Sequence, residues 1–391
     1  MHNGMSVAKT GIRREKRIAR AGLLVSLAII ALLSAAPSAC RAQARYVADE
    51  PLPPLAAGAW TMVVIPDTQS YVDSSDNAWL LDEIVQWIID AREERNIQLV
   101  LHEGDIVYQN GITSPSDGSG DQDSDGQWAN AAHSLHKLDG ILPYVIVPGN
   151  HDYGVKDCDS RETQFNDYFK PEDNFLVDPA FGGILKSMYL NAFGECTLEN
   201  ACYEFNAPDG RKLLILALEW GPRQAVVDWA NELLSYPRYA GYTAVLLTHA
   251  YMYYDDTRLD WAAKGKTQAA NPHAYSGTNA DTHDGEELWR ELVSRHSQFE
   301  LVLSGHIGGD MVGYLASVGK HGQTVHQMLF NAQFLPRGGD GWIRLLEFQP
   351  DGRTVQVRTF SPVFARDGIE LTNPWRTNED DEFVIELSPL S

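Results

Sequence analysis

Five short clusters in this 391-residue chain carry oxygen or imidazole donors. They are Pro66-Asp67-Thr68-Gln69, Gly104-Asp105, Gly149-Asn150-His151-Asp152, Thr248-His249 and Gly305-His306-Ile307-Gly308. A mixed set of carboxylates, carboxamides and imidazoles suits hard or borderline divalent cations such as Mn, Fe, Zn or Mg. Glycine next to a donor allows the tight turn that brings a side chain close to a ligand. Singly these motifs say little, because a lone Gly-Asp is common and a lone histidine is more often structural. Taken together and in this order they are specific, because each follows an apolar run. Ser304 lacks the G-x-S-x-G context of a serine nucleophile, and the chain has no C-x-x-C zinc pattern.

The elements that must position these donors alternate. Thr61–Ile65, Ile97–Leu101, Tyr144–Val147, Lys212–Leu218, Thr243–Leu247 and Phe299–Leu303 read as strands. Helical spacing runs over Asn77–Arg95, where Asp76 is the expected N-cap, and over Gln127–Leu138, the stretch after Pro222, and Glu286–His296. After His306 the helical signal stops, and Val325–Phe330, Trp342–Phe348, Thr354–Phe360 and Phe383–Leu387 read as strands. Val155–Cys202 has no clear period and is expected to be a long surface insertion; Tyr251–Asp281 is a second long loop. The expected class is α/β, with ligands outside the carboxyl ends of the strands. The acidic loop Ser114–Gly126 opens like a calcium loop, but Ala132 stands where the bidentate glutamate is needed, so it reads as a solvated loop.

The five clusters resemble the calcineurin-like metallophosphoesterases, from about Val63 to His306. That resemblance implies a four-layer αββα sandwich with long inserted loops and a two-metal centre at the strand ends. It implies Asp67 on the first metal, Asp105 bridging both, and Asn150, His249 and His306 on the second. His151 then contacts the substrate phosphate and helps protonate the leaving group. Two imidazoles of the family pattern are missing from the first metal: Asp-x-His is here Asp67-Thr68-Gln69, and Gly-His-x-His is here Gly305-His306-Ile307-Gly308. Gln69 offers an amide oxygen, as a ligand or as a hydrogen bonder, while Asp310 is either a replacement carboxylate or an ordinary turn residue. The expected first site is weaker, harder in character and filled by added Mn or Mg.

His102 is expected to be packed behind the site. His273 and His283 either line the cleft or are solvated, and the residue types leave His326 and Asn331 open between ligand and scaffold. Tyr251, Tyr253, Tyr254 and Trp261 form either an aromatic wall or loop packing.

The expected reaction is hydrolysis of a small phosphate mono- or diester by metal-activated hydroxide. Two other classes stay open: a metal-binding envelope protein with weak or no catalysis, and a glycan- or peptide-binding module.

Charge separates the N-terminus from the rest. The chain holds 53 acidic and 31 basic side chains, net −22, but residues 1–44 contain seven bases and only Glu15 as an acid. The body therefore has 52 acids and 24 bases, which excludes a long nucleic-acid partner held by phosphate contacts. The basic stretch, the 16-residue apolar run Ala21–Ala36 and Ala42-Gln43-Ala44 read as a secretory signal peptide over residues 1–44. An uncleaved anchor or lipidation at Cys40 are the alternatives. Residues 45–60 read as an extended lead-in and 61–391 as one catalytic domain, periplasmic or extracellular, with no transmembrane span in the mature chain. Export favours a disulfide. Cys196–Cys202 is the preferred pair, with Cys158 left over; three cysteines permit three pairings, and free buried thiols are the competing reading.

Overall fold

Alternation along the strands explains how the layers form. In β1 (Trp60–Ile65), Trp60, Met62 and Val64 enter one apolar cluster, while Val63 and Ile65 enter another. The same split recurs in β6 (Lys212–Leu218), where Leu213, Ile215 and Ala217 face one way and Leu214, Leu216 and Leu218 the other. A strand buried on both faces sits between two layers, which is why these runs are apolar throughout. The computed structural model describes residues 53–115, 120–278, 280–308, 311–366 and 373–390.

Two seven-stranded sheets form. The first has the order β13 (Trp375–Arg376), β12 (Thr354–Phe360), β11 (Ile343–Phe348), β1, β2 (Ile97–His102), β3 (Tyr144–Ile146), with β14 (Phe383–Glu386) also on β12. The second runs β4 (Leu185–Leu190), β5 (Cys196–Asn206), β6, β7 (Thr243–Thr248), β8 (Phe299–Ser304), β10 (Thr324–Phe330), β9 (Val312–Val318). β1, β2 and β3 are parallel, as are β6, β7, β8 and β10, so their carboxyl ends open together.

The central core packs sheet on sheet, with Met62, Leu99 and Leu101 in the same cluster as Ile215, Leu247 and Leu303. One-turn α1 (Gln69–Val72) and helices α2 (Ala78–Asp90) and α3 (Ser124–Leu135) cover the first sheet, burying Leu81, Ile84, Val85 and Trp128. Helices α4 (Gln224–Leu234) and α5 (Gly285–Glu291) cover the second through Val226, Val227, Ala230 and Leu288. This is the expected αββα sandwich.

Several expectations change. Val155–Cys202 is not simply an insertion: its end forms β4 and most of β5, a hairpin whose second strand pairs with β6. Cys196 and Cys202 do not form a disulfide. Both lie in one extended strand, about 20 Å apart at the usual rise of about 3.3 Å per residue, where a bridge needs Cα atoms within about 7 Å. Cys158, Cys196 and Cys202 are all free. Asn77, not Asp76, occupies the N-cap of α2. In the acidic loop, Asp123 caps α3 by accepting from the Gly126 N–H at 2.9 Å, and Asp121 accepts from the Ser75 N–H at 2.7 Å. Among the described residues, no helix is long and apolar enough to cross a membrane. The leader over 1–44, Cys40 and Asp310 lie outside the described residues.

Candidate metal centre

Each donor cluster sits just past a strand end. Asp67 follows β1, Asp105 follows β2, Asn150 and His151 follow β3, His249 follows β7 and His306 follows β8. The two sheets therefore deliver their donors to one place. Asp105, His249 and His306 each offer a ligand atom within 4.8 Å of the others, and all three are buried.

The turns are built tightly. Asp105 and His306 take positive φ values of 47° and 72°, which cost a non-glycine residue about 1–3 kcal/mol and persist only where the surroundings over-determine them. A Cβ on Gly149 would stand 2.2 Å from Asp105 Oδ1, and one on Gly305 would stand 2.2 Å from Asp67 Oδ1. Glycine is required at both positions for the carboxylates to fit. Buried Asp152 ties the turns together, accepting from the N–H groups of Val107 (2.9 Å), Ile106 (3.1 Å) and Gly149 (2.7 Å). The His151 N–H donates to Asp105 Oδ1 at 2.9 Å.

Backbone carbonyls set the histidine tautomers. A carbonyl only accepts, so the ring nitrogen facing it carries the proton. His249 Nδ1 lies 2.7 Å from the Glu103 oxygen, leaving Nε2 as a lone-pair donor. That Nε2 is 3.1 Å from Asp105 Oδ2, yet both atoms lack a hydrogen-bond partner. His306 Nε2 lies 2.7 Å from the Ala270 oxygen, which leaves Nδ1 free. His151 Nδ1 lies 2.6 Å from the Tyr108 oxygen and 3.1 Å from Asp157 Oδ1, which leaves Nε2 free.

Asn150 Oδ1 and Gln69 Oε1 are also buried without a partner. An unsatisfied buried polar group costs roughly 1–3 kcal/mol, so each of these four atoms calls for a partner. The oxygen and nitrogen donors of Asp105, His249 and His306, which do converge, fit a divalent cation.

Charge agrees with the geometry. Burial, then the Asp105 charge, pushes Asp67 up to about 8 against the pull of His249. Burial would also raise Asp105, but His249 and then His151 hold it well below the usual carboxylate range. Burial works to lower His249, yet Asp105 and Asp67 raise it to about 9. Burial and the neighbouring His249 lower His306 to about 3.

The side nearest Asp67 is different. Asp67 accepts from the His306 N–H at 3.2 Å and from Asn331 Nδ2 at 2.8 Å. The Gln69 amide donates to Gln333 Oε1. A Cβ on Gly308 would stand 3.0 Å from Phe334 Cε2, so the Phe334 ring fills the space beside the residue that lacks an imidazole.

Other residues sort by contact. His102 is buried, with Nε2 3.0 Å from Thr68 Oγ1, and accepts from the Gly104 N–H at 3.1 Å, so it holds a turn. His326 lies 2.7 Å from the Tyr314 hydroxyl and 3.0 Å from the Glu386 oxygen and is scaffold, whereas Asn331 reaches the site. His273 pairs with Glu287 at 2.7 Å, and His283 Nδ1 lies 2.9 Å from the Pro222 oxygen. Tyr251 is fully buried with its hydroxyl donating to Gln327, and the Tyr253 and Tyr254 rings pack tilted against each other at 4.4 Å. The rings against the histidines are instead Trp220, 5.7 Å from His249 and 4.7 Å from His306, and Tyr275, 6.2 Å from His306. Spacing does not point to Trp220, Tyr275, Glu103 or Gln333. Asn331, just past the end of β10, obeys the same strand-end rule as the five clusters.

The chain is 29% identical over 348 residues to Uncharacterized protein YvnB of Bacillus subtilis (strain 168), covering 88% of this chain but only 23% of that one. Among solved structures it is similar to GAP50, the anchor in the inner membrane complex of Plasmodium. The TM-score is 0.41 at 11% identity, over 82% of this chain and 90% of that one. A predicted phosphoesterase from Streptococcus pneumoniae TIGR4 gives a TM-score of 0.31 at 9% identity, over 84% and 98% of the two chains. The family model for calcineurin-like phosphoesterases matches residues 61–309, a span that contains all five donor clusters. This chain belongs to the calcineurin-like phosphoesterase family.

Proposed function

We propose that the protein hydrolyses small phosphate mono- or diesters at a divalent-metal centre held by Asp67, Gln69, Asp105, Asn150, His249 and His306. The observation that carries this reading is the set of buried, unpartnered donor atoms: Asp105 Oδ2, Asn150 Oδ1, His249 Nε2 and Gln69 Oε1. Divalent ions bound there would supply Lewis-acid chemistry, activating water and neutralising phosphoryl oxygens.

The chain's own residues orient and move protons. Glu103 and Ala270 carbonyls hold the His249 and His306 rings with one nitrogen turned to the site. His151 is the catalytic residue. With Nδ1–H given to the Tyr108 oxygen, its Nε2 is the position that carries a transferable proton to the leaving oxygen. Asp157 Oδ1, 3.1 Å from Nδ1, is a second acceptor facing that nitrogen and helps fix the ring. General-acid assistance of this kind is worth about 10²–10⁴ in rate. Trp220 and Tyr275 pack against His306 and keep water from that side.

Residues 1–44 act as a secretory signal peptide, the lead-in follows, and 61–391 form one exported domain. A second reading, metal retention with weak catalysis, is favoured by the Gln69–Gln333 pairing and by Phe334 over Gly308. One experiment separates the two: metal analysis of the purified protein together with turnover of aryl phosphate mono- and diesters before and after chelation. Turnover lost on chelation and restored by Mn or Zn supports the esterase. Tightly held metal without turnover supports the second reading.

A further inference from the structure

The long loop between β7 and α5 does more than border the site. It supplies the carbonyl, from Ala270, that faces His306 Nε2 at 2.7 Å. That carbonyl belongs to the peptide unit joining Ala270 and Asn271, whose N–H donates to the Gln268 oxygen at 3.0 Å. A trans peptide points its C=O and N–H in opposite directions, so fixing the N–H fixes the carbonyl.

Asn271 holds this unit in place. Its side chain is fully buried. Nδ2 donates to Asp284 Oδ2 at 3.0 Å, and Oδ1 accepts from the His273 N–H at 3.0 Å. Asp284 is the N-cap of α5, accepting from Glu287 N–H at 3.0 Å and from Trp261 N–H at 2.6 Å. Glu287 closes the cluster, accepting from the Asp284 N–H at 3.0 Å and pairing with His273 Nε2 at 2.7 Å. His273, Asp284 and Glu287 have donor atoms close enough to hold an ion of their own. These hydrogen bonds already occupy them, so the cluster works as a clamp.

We propose that this loop is part of the metal centre and that Asn271 is a positioning residue. Through Asp284 it locks the Ala270 carbonyl onto His306, so that Nε2 keeps the proton and Nδ1 is presented to the cation. The proposal rests on the metal-centre reading given above. A hydrogen-bond partner behind a ligand histidine fixes tautomer and ring orientation, and its loss typically costs about 10–100-fold in metal affinity.

Two variants test it, N271A and N271D, in the full chain with Zn²⁺ alone as probe. Asn271→Asp keeps the size and the acceptor for the His273 N–H but can no longer donate to Asp284, so it isolates the clamp even where Asn271→Ala folds poorly. Calorimetric titration should show Zn²⁺ affinity falling by about 10–100-fold in both. Nitrogen-15 NMR of histidine-labelled apoprotein should show His306 changing from the Nε2–H tautomer alone to a mixture. Wild-type affinity together with an unchanged His306 tautomer in N271D would overturn the proposal. A wild-type protein that binds Zn²⁺ but turns over no ester would defeat the esterase reading, while the affinity and tautomer measurements still judge the clamp.

Discussion

His249 Nε2 faces Asp105 Oδ2 across 3.1 Å, both atoms buried and neither in a hydrogen bond. The Glu103 carbonyl holds a proton on Nδ1, so the neutral ring has its lone pair at Nε2, and a second proton there gives the cation that Asp105 and Asp67 favour. Two lone pairs pointed at one place in the protein interior are stable together only with a positive charge between or beside them.

Without metal, protons provide that charge. Burial pushes Asp67 up to about 8, and the Asp105 and Asp67 charges push His249 up to about 9, so an incoming cation displaces protons from both. Apparent metal affinity should therefore rise with pH between about 7 and 9. Calorimetry in buffers of different ionisation enthalpy should detect protons released on binding; a pH-independent affinity with no proton release would contradict the assignment.

Asp105→Ala removes the carboxylate that His249 and the His151 backbone address. Metal affinity should drop by more than the roughly 10–100-fold typical of losing a ligand's hydrogen-bond partner, and turnover should vanish with it. Full activity with metal retained would mean the site lies elsewhere.

His151→Ala should behave differently. The backbone N–H to Asp105 survives, so metal content should stay at the wild-type level while kcat falls about 10²–10⁴-fold. Esters with very good leaving groups need less protonation and should lose less. An equal loss on good and poor leaving groups would remove His151 from the proton-transfer role.

Metal titration of the wild type should find one tight equivalent and a second, weaker one that takes Mn²⁺ or Mg²⁺. Gln69→His combined with Gly308→His should tighten the second only when Phe334 is also cut to alanine, because that ring stands 3.0 Å from where the new Cβ would lie. Two equally tight equivalents in the wild type would contradict the weakened site.

Cys196 is exposed, whereas Cys158 and Cys202 are buried. Cys196 should react with a water-soluble thiol reagent in the native protein, and Cys158 and Cys202 only after unfolding. Cys196→Ser should change stability by no more than about 0.5 kcal/mol, the usual range for a surface substitution. A stable intramolecular bridge found by non-reducing peptide mapping would contradict the strand geometry.

Local pattern carried much of this protein. The unbroken apolar runs of β1 and β6 and the helical spacing of Leu81, Ile84, Val85 and Ile88 are properties of neighbours along the chain, so they can be read without knowing the fold. The donor residues at the strand ends, the glycines beside them and the missing imidazoles at Gln69 and Gly308 were legible for the same reason. The β4–β5 hairpin was not, because its outer strand is partly solvated and its apolar period is broken by register shifts. Pairing between distant segments decided the rest. β1 lies beside β11, and β8 beside β10, and those contacts bring Asn331 onto Asp67 and Gln333 onto Gln69 across 264 residues. The path of the loop after β7 decided that Ala270 orients His306. The extended course of β5 decided that Cys196 and Cys202 stay apart. Side-chain type and spacing determined which atoms could bind a cation; only packing of the two sheets determined which of them meet, because that depends on burial shared between residues far apart in the chain.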